Sequence, residues 1–465
     1  MRTLTFIIAA VTSLLLSACD DVQPVLSGDA ANPASIDGET DAQPPGVGDE
    51  STAMPVGDGP EEVSEGGMST AETPPTAMVD DGDTPAAGNT GREAQSTPTF
   101  NGVDFDGPIV IRQGGTYQGN WESTDPDTAA VTIATQEPVT IERSNIRSRG
   151  HLVASSTDRT AVTIRQTTGV ALDPQRAGAK IGRFAFLLGG RRALIENNDI
   201  HNTSGIFFGR YHGSDRNDYF KVLRNRVVNV DGRLSTGSGF NQDDSTAWLA
   251  HFVSVSQMQS VPNVAIGWNH VVNQPGKSRV EDVVSVYLSS GLADSPIRIF
   301  DNFIDGAYPT HPEYDRYSGG GIMLGDGKAN PEGVKHVIAE RNVVVNTTNY
   351  GMAISAGENT VMRNNRVFST GRLPNGTPVA AQNVGIYVWN YHDQGAFGNN
   401  DAINNVVGWE NVKRGGQYNF YMPDVDTAEG NATYSGDVSD EMLDREFAAW
   451  RGRANANNVS VGHSD

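Results

Sequence analysis

Beyond residue 97 the chain alternates short β-branched runs with small polar clusters, and one cluster keeps returning. "RNRVVN" at 224–229, "WNHVVN" at 268–273 and "RNVVVN" at 341–346 each fence an apolar pair or triplet with asparagine. Aligned on the first asparagine, the chain holds seven registers: Asn198, Asn225, Asn269, Asn302, Asn342, Asn365 and Asn405. Two positions later stand Ile200, Val227, Val271, Ile304, Val344, Val367 and Val407, and three positions earlier stand Ile195, Val222, Ile266, Ile299, Ala339, Met362 and Ala402. Both columns are apolar throughout. A second asparagine recurs at Asn202, Asn229, Asn273 and Asn346, and a fainter copy with Ile141, Ser144 and Ile146 precedes the series. "AVTIRQTTGV" at 161–170 supplies another copy in a register the pattern does not fix.

The units alternate with period two and are punctuated by Gly, Asn and Asp, which predicts strands rather than the i, i+3, i+4, i+7 pattern of a helical repeat. Each carries a further short strand, as in "GIFFG" (205–209), "VVSVYLSSG" (283–291), "GIMLGDG" (321–327), "GMAISAG" (351–357) and "GIYVWN" (385–390). The interval between copies varies, as coils of two or three strands with one variable loop would require, whereas a propeller would hold a steadier period. The fold class read from this pattern is all-β, a right-handed parallel β-helix. Its coils stack at about 4.8 Å, and a column of aligned asparagines can pass amide hydrogen bonds from coil to coil. In "SDEMLDREFAAWRGRA", Leu443, Phe447 and Trp450 fall at helical spacing behind Ser439 or Asp440 as N-cap, so 439–465 is expected to hold a helix that closes the last coil. Gly319–Gly321 is expected to allow close backbone approach or a bulge. On its repeated coils, over roughly 100–430, the chain resembles the right-handed parallel β-helix proteins of the pectin-lyase-like group.

The first 97 residues have another character. "MRTLTFIIAAVTSLLLSACDD" has a basic start and an apolar run too short to span a membrane, which reads as a secretory leader over residues 1–18. Leu16-Ser17-Ala18-Cys19 resembles the lipobox of bacterial lipoproteins, which implies cleavage before Cys19 and its lipidation. Such a chain would be held at the cell envelope, facing the periplasm or the surface. Cys19 is the single cysteine, so no disulfide supports the fold. Residues 19–97 are rich in Pro, Gly and acid, with seventeen Asp/Glu against Arg92 alone between 20 and 97, and read as a disordered tether. That segment carries most of the formal charge of −22, which leaves the body over 98–438 only mildly acidic and without a nucleic-acid footprint. A monomer is expected.

In a solenoid, residues five coils apart lie about 24 Å apart, so a site must draw on neighbouring coils. His212 and His392 are therefore expected to stand too far apart to share a reaction. Two neighbourhoods remain. One joins Arg210, Tyr211 and His212 to Asp243, Asp244 and His251. The other joins Glu281 and Asp282 to His311, Tyr314, Asp315 and Arg316, with Asp326 and Lys328. Asparagine-flanked histidines His201 and His270, and His336, read as structural. Adjacent Glu281 and Asp282 are expected to point to opposite faces of their strand. The β-helix resemblance implies a carbohydrate ligand, and residues of these types suit β-elimination of a polyuronate: a cation to neutralise the carboxylate, a base for the C5 proton and an acid for the leaving oxygen. Candidate catalytic groups are Lys328, Arg316, His311 and Tyr314. Candidate binding groups are Arg210, Tyr211, His212, Trp389 and Tyr391, and Asp243, Asp244 and Asp326 could hold Ca²⁺ through hard oxygen ligands. The Gly-His-Gly, Asp-His and Asp-Pro-His signatures of β-helix polygalacturonases, pectate lyases and alginate epimerases are absent, so the resemblance transfers no catalytic residue. A non-catalytic adhesin or scaffolding module is the alternative.

Overall fold

The computed structural model describes Arg92 and residues 94–314, 318–329 and 332–463. Three parallel sheets run the length of the body, with successive strands of the chain passing from one sheet to the next. Sheet 1 has eleven strands, beginning at Ile109–Ile111 and including Ile206–Gly209, Val253–Ser256, Asp282–Tyr287, Gly320–Asp326, Tyr350–Ile354 and Val384–Val388. Sheet 2 has eleven strands and sheet 3 twelve. The chain is a parallel β-helix.

The apolar columns run as the repeat pattern requires. Ile195, Val222, Ile266, Ile299, Ala339, Met362 and Ala402 pair in register along sheet 2. Ile200, Val227, Val271, Ile304, Val344, Val367 and Val407 do so along sheet 3. All fourteen are buried, and all but Ala402 belong to one continuous apolar cluster.

The asparagines stand at the corner between these two sheets. The residue before each, from Asn197 through Arg224, Trp268, Asp301, Arg341 and Asn364 to Asn404, is left-handed with φ between 51° and 57°. A side chain disfavours that conformation, and the tight corner also turns backbone groups away from the strand ladder. The asparagine meets the second cost. Asn302 Nδ2 donates to Ile266 O and to Asn342 Oδ1, each at 2.9 Å, and its backbone N–H donates to the same Oδ1 at 3.1 Å. The pattern repeats from Asn198 to Asn405 and continues to an eighth member, Asn431.

The C-terminal helix, α1 (Asp440–Ala456), starts where expected: the Ser439 side chain accepts from the Met442 N–H. It does not close the last coil. Met442, Leu443, Phe447 and Trp450 pack with Phe303, Val343, Val345 and Phe368, which makes α1 a cover along the outside of sheet 3. Trp450 Nε1 donates to Asp301 O at 2.7 Å, and the tail beyond α1 reaches back to Asn197. Amphipathic spacing fixes which face of a helix is buried but not the surface it meets. Arg92 lies on this same side, donating to Asp305 (2.9 Å), Asp444 (2.6 Å) and Asp440 (3.2 Å). Cys19, the leader and the tether up to residue 91 fall outside the described residues.

Candidate functional site

The three outer surfaces differ in what covers them. Sheet 3 is covered by α1. Sheet 2 carries ion pairs such as Arg165 to Glu142 and Arg363 to Glu340. Sheet 1 lies between two rows of loops, 229–252, 273–281, 308–319 and 370–383 on one side and 210–218, 288–296, 327–334 and 389–400 on the other.

The outward column of sheet 1 is set by register. Phe186 pairs with Phe207, then Ser254, Ser285, Met323, Ala353, Tyr387 and Tyr421 follow in adjacent coils. Aromatic residues thus bracket a run of smaller ones. At one end His151, Phe186 and Phe207 stack, with centroids 4.9 and 5.4 Å apart, and the Arg183 guanidinium lies 4.7 Å from both the Phe207 and Trp248 rings. At the other end Tyr350, Tyr387 and Met323 pack with Trp389, Tyr418 and Tyr421.

Between these ends lies a cluster of titratable groups. Asp282 opens its strand opposite Gly320. The Tyr350 hydroxyl donates to Asp282 Oδ1 from two coils away. Glycine at 320 leaves the gap this needs, because a Cβ there would come 2.6 Å from Tyr350 Cε2 and closer still to Asp282 Oδ1. His251 Nδ1 is 2.9 Å from the Asp282 carbonyl oxygen and 3.9 Å from Asp282 Oδ2. A carbonyl only accepts, so Nδ1 carries the proton and Nε2 keeps the lone pair. Burial holds the imidazole down at about 4, so it is neutral at pH 7. Burial, and after it the Glu281 charge, push Asp282 well above the usual carboxylate range. A base held neutral thus stands beside an acid that holds its proton more firmly than an ordinary carboxyl, which is a separation of acid and base tendencies. His251, Asp282 and Tyr350 keep 6, 7 and 4 % of their surface exposed.

This cluster joins the two neighbourhoods that the sequence kept apart. Arg279 is buried and pairs with Asp244 at 3.1 Å and Glu281 at 2.9 Å, while Thr310 donates to Asp244 through its N–H and its hydroxyl at 3.0 Å. Glu281 and Asp282 engage different partners, Glu281 pairing with Arg279 and Asp282 with Tyr350. They sit at a corner where the Glu281 charge acts on Asp282, and Ser318 Oγ donates to Glu281 at 3.1 Å.

The remaining candidates are spread around the same face. His311 and Tyr314 precede the strand Gly320–Asp326, with His311 Nδ1 3.0 Å from Glu313 and its ring 5.0 Å from Tyr314, which is exposed. Lys328 follows that strand at its other end and is exposed. Arg316 and Asp315 lie outside the described residues. Asp326 accepts from Ser355 (3.2 Å) and lies 2.8 Å from His392 Nε2, across the sheet from Asp243 and Asp244. Asp243 caps a 3-10 turn. Among the described residues no three His, Cys, Asp or Glu side chains gather as a metal site, so the structure does not bring the three candidate calcium ligands together.

Tyr211 donates to Asp218 at 3.0 Å and packs on Phe220, and His212 bonds Asp158, so this turn is tied to its own loop and to the loop two coils earlier, with Arg210 exposed at its start. Trp389 packs on Tyr391 and Tyr421 beside the aromatic end of the column. His201 is 2 % exposed, and His270 packs under Phe447. The groups that sequence reasoning missed are Tyr350, Arg183, Arg279 and Trp248. Tyr350 stands inside an ordinary strand motif, and its only signal was a glycine one coil away.

No protein-family model matches the chain, and no curated protein matches it. Among solved structures the chain is similar to a mannuronic acid specific polysaccharide family 6 lyase enzyme from human gut microbiota. The likeness has 11% identity, covers 77% of this chain and 91% of that one, and has a TM-score of 0.34.

Proposed function

We propose that this chain binds an acidic polysaccharide along the outer face of sheet 1 and cleaves it by β-elimination. The observation that carries the reading is the His251–Asp282–Tyr350 cluster, a neutral base beside a carboxyl raised above its usual range, on the one sheet face left between loops. In this reaction the charge of Arg183 offsets the uronate carboxylate and acidifies the C5 proton, while Arg279 holds Asp244 and Glu281 in place. His251 Nε2 takes that proton, the C4–O bond breaks as the C4=C5 bond forms, and Asp282 Oδ2 supplies the proton to the departing oxygen. Tyr350 fixes Asp282 through Oδ1. Phe207 and Tyr387, at the two ends of the column, offer ring faces to sugars on either side. Epimerisation would use the same first proton transfer and return a proton to the other face. The Cys19 pattern supports an anchored envelope location for this activity.

A non-catalytic binding module is the second reading, and the small exposure of all three cluster residues favours it. The test is incubation of the purified chain with a panel of polyuronates, with and without calcium, following the ultraviolet absorbance of the unsaturated product. We expect product from at least one polymer, lost in His251→Gln while binding persists. Saturable binding without product leaves the binding module, and neither binding nor product on any polymer overturns both readings.

A further inference from the structure

A second cleft, of about 390 Å³, opens between α1 and sheet 3, on another face from the polysaccharide site. Its lining includes two arginines, Arg226 and Arg451, together with His270, Gln95, Ser460 and Trp450, and among the described residues no carboxylate. Arg226 is partly engaged: it donates to Gln95 Oε1 (2.8 Å) and Val461 O (3.1 Å), and Asp199 stands 3.7 Å away. Arg451 is exposed and forms no ion pair among the described residues. His270 supplies an independent sign of a ligand. The residue is 8 % exposed, and its Nε2 is buried with no hydrogen-bond partner. A buried polar nitrogen without a partner is uncommon and costs free energy unless something fills the role. Both arginines act on this imidazole, which burial and then their charges hold down at about 3. The ring is neutral, so one nitrogen is an N–H donor available to an acceptor oxygen.

We propose that this cleft binds a small oxyanion, a carboxylate or phosphate group held by Arg226 and Arg451 with an N–H of His270 completing the site. Two guanidiniums give the planar donor pairs that match such groups; Asp199 meets part of the Arg226 charge, and that of Arg451 is left to be met from outside. The ligand could be free phosphate or the acid group of a single sugar acid, two sources with the same recognition chemistry.

The experiment titrates the full chain with inorganic phosphate and, separately, with glucuronate at constant ionic strength, following the His270 ring signals by NMR. A saturable shift with either ligand is expected, with the imidazole titrating at higher pH in the complex. Arg451→Gln lies on the exposed side of α1, so the fold persists, and loss of one charge-assisted hydrogen bond weakens binding roughly ten-fold. His270→Phe is expected to remove the remaining selectivity over chloride. Saturation with phosphate alone or glucuronate alone names the source. The proposal is overturned if neither ligand saturates, if chloride shifts the ring equally, or if Arg451→Gln binds as tightly as the parent.

Discussion

Gly320→Ala is a perturbation that reports on the candidate site through a single hydrogen bond. The new methyl would lie 2.6 Å from Tyr350 Cε2 and also crowd Asp282 Oδ1, so the tyrosine ring must move away from the carboxyl it bonds. Crowding of this kind in a packed region costs about 1–3 kcal/mol. Loss of the Tyr350–Asp282 bond adds about 1–2 kcal/mol, because Asp282 Oδ1 is then left buried without its donor. Gly320→Ala should therefore destabilise the chain by about 2–5 kcal/mol. Tyr350→Phe removes the same bond while keeping the ring, at a cost of about 1–2 kcal/mol. In the double variant the ring still clashes with the methyl, but the bond cannot be lost twice. The two changes should fall short of additivity by about 1–2 kcal/mol, read from urea unfolding midpoints at a common slope. Turnover should fall in both single variants, because each frees the acid from its fixed position. Additivity within about 0.5 kcal/mol would refute the view that Gly320 exists to let Tyr350 reach Asp282.

Three further outcomes follow from other parts of the molecule. Asn302→Ala leaves the Asn269 N–H and the Ile266 carbonyl unpaired in a fully buried corner and should cost about 3–5 kcal/mol in urea unfolding, whereas Asn431→Ala, at the half-buried end of the ladder, should cost less than half as much. Arg92→Gln strands Asp305, a buried acid already raised to about 6 by burial, and should lower stability by about 2 kcal/mol and speed amide exchange in the first turn of α1. Burial depresses His270 from 6.5 to about 3 and His251 and His201 from 6.5 to about 4, so the stability of their neutral forms is present above pH 6.5 and is lost as pH falls towards those values. His270→Phe should therefore flatten the fall in unfolding free energy between about pH 6.5 and 4.

How much of this was visible in the sequence depended on whether a residue repeats. Seven ladder asparagines and both apolar columns were legible because every coil imposes the same demand at the same position. Asn431 was not, because Thr433 stands where the other copies place an aliphatic residue, although its amide continues the ladder. The helical face of Leu443, Phe447 and Trp450 was legible, but its partner was not: Phe303, Val343, Val345 and Phe368 read as strand residues with no mark of lying outside rather than inside. At the candidate site the sequence singled out His251 and Asp282 yet assigned them to different neighbourhoods. Loop length hid that 229–252 folds back onto the next coil, where His251 meets the Asp282 carbonyl.

Why the chemistry should fall to sheet 1 is best argued by comparing two carboxylates on one scaffold. Glu340 ends a strand on sheet 2 and is 3 % exposed, as buried as Asp282. Burial pushes its carboxyl up, but hydrogen bonds from Arg298 and Arg363 and the charge of Arg341 outweigh that and hold it at about 2. A carboxylate so held is a fixed anion that neither gives nor takes a proton near neutrality. Asp282 has no arginine of its own: Arg279 is engaged by Asp244 and Glu281, and the Glu281 charge works against a second anion beside it. Its single close side-chain donor is a tyrosine. Desolvation that three arginines outweigh at Glu340 is left standing at Asp282, so this carboxyl holds its proton more firmly than an ordinary carboxylate, and the lone pair of His251 beside it remains available to take one.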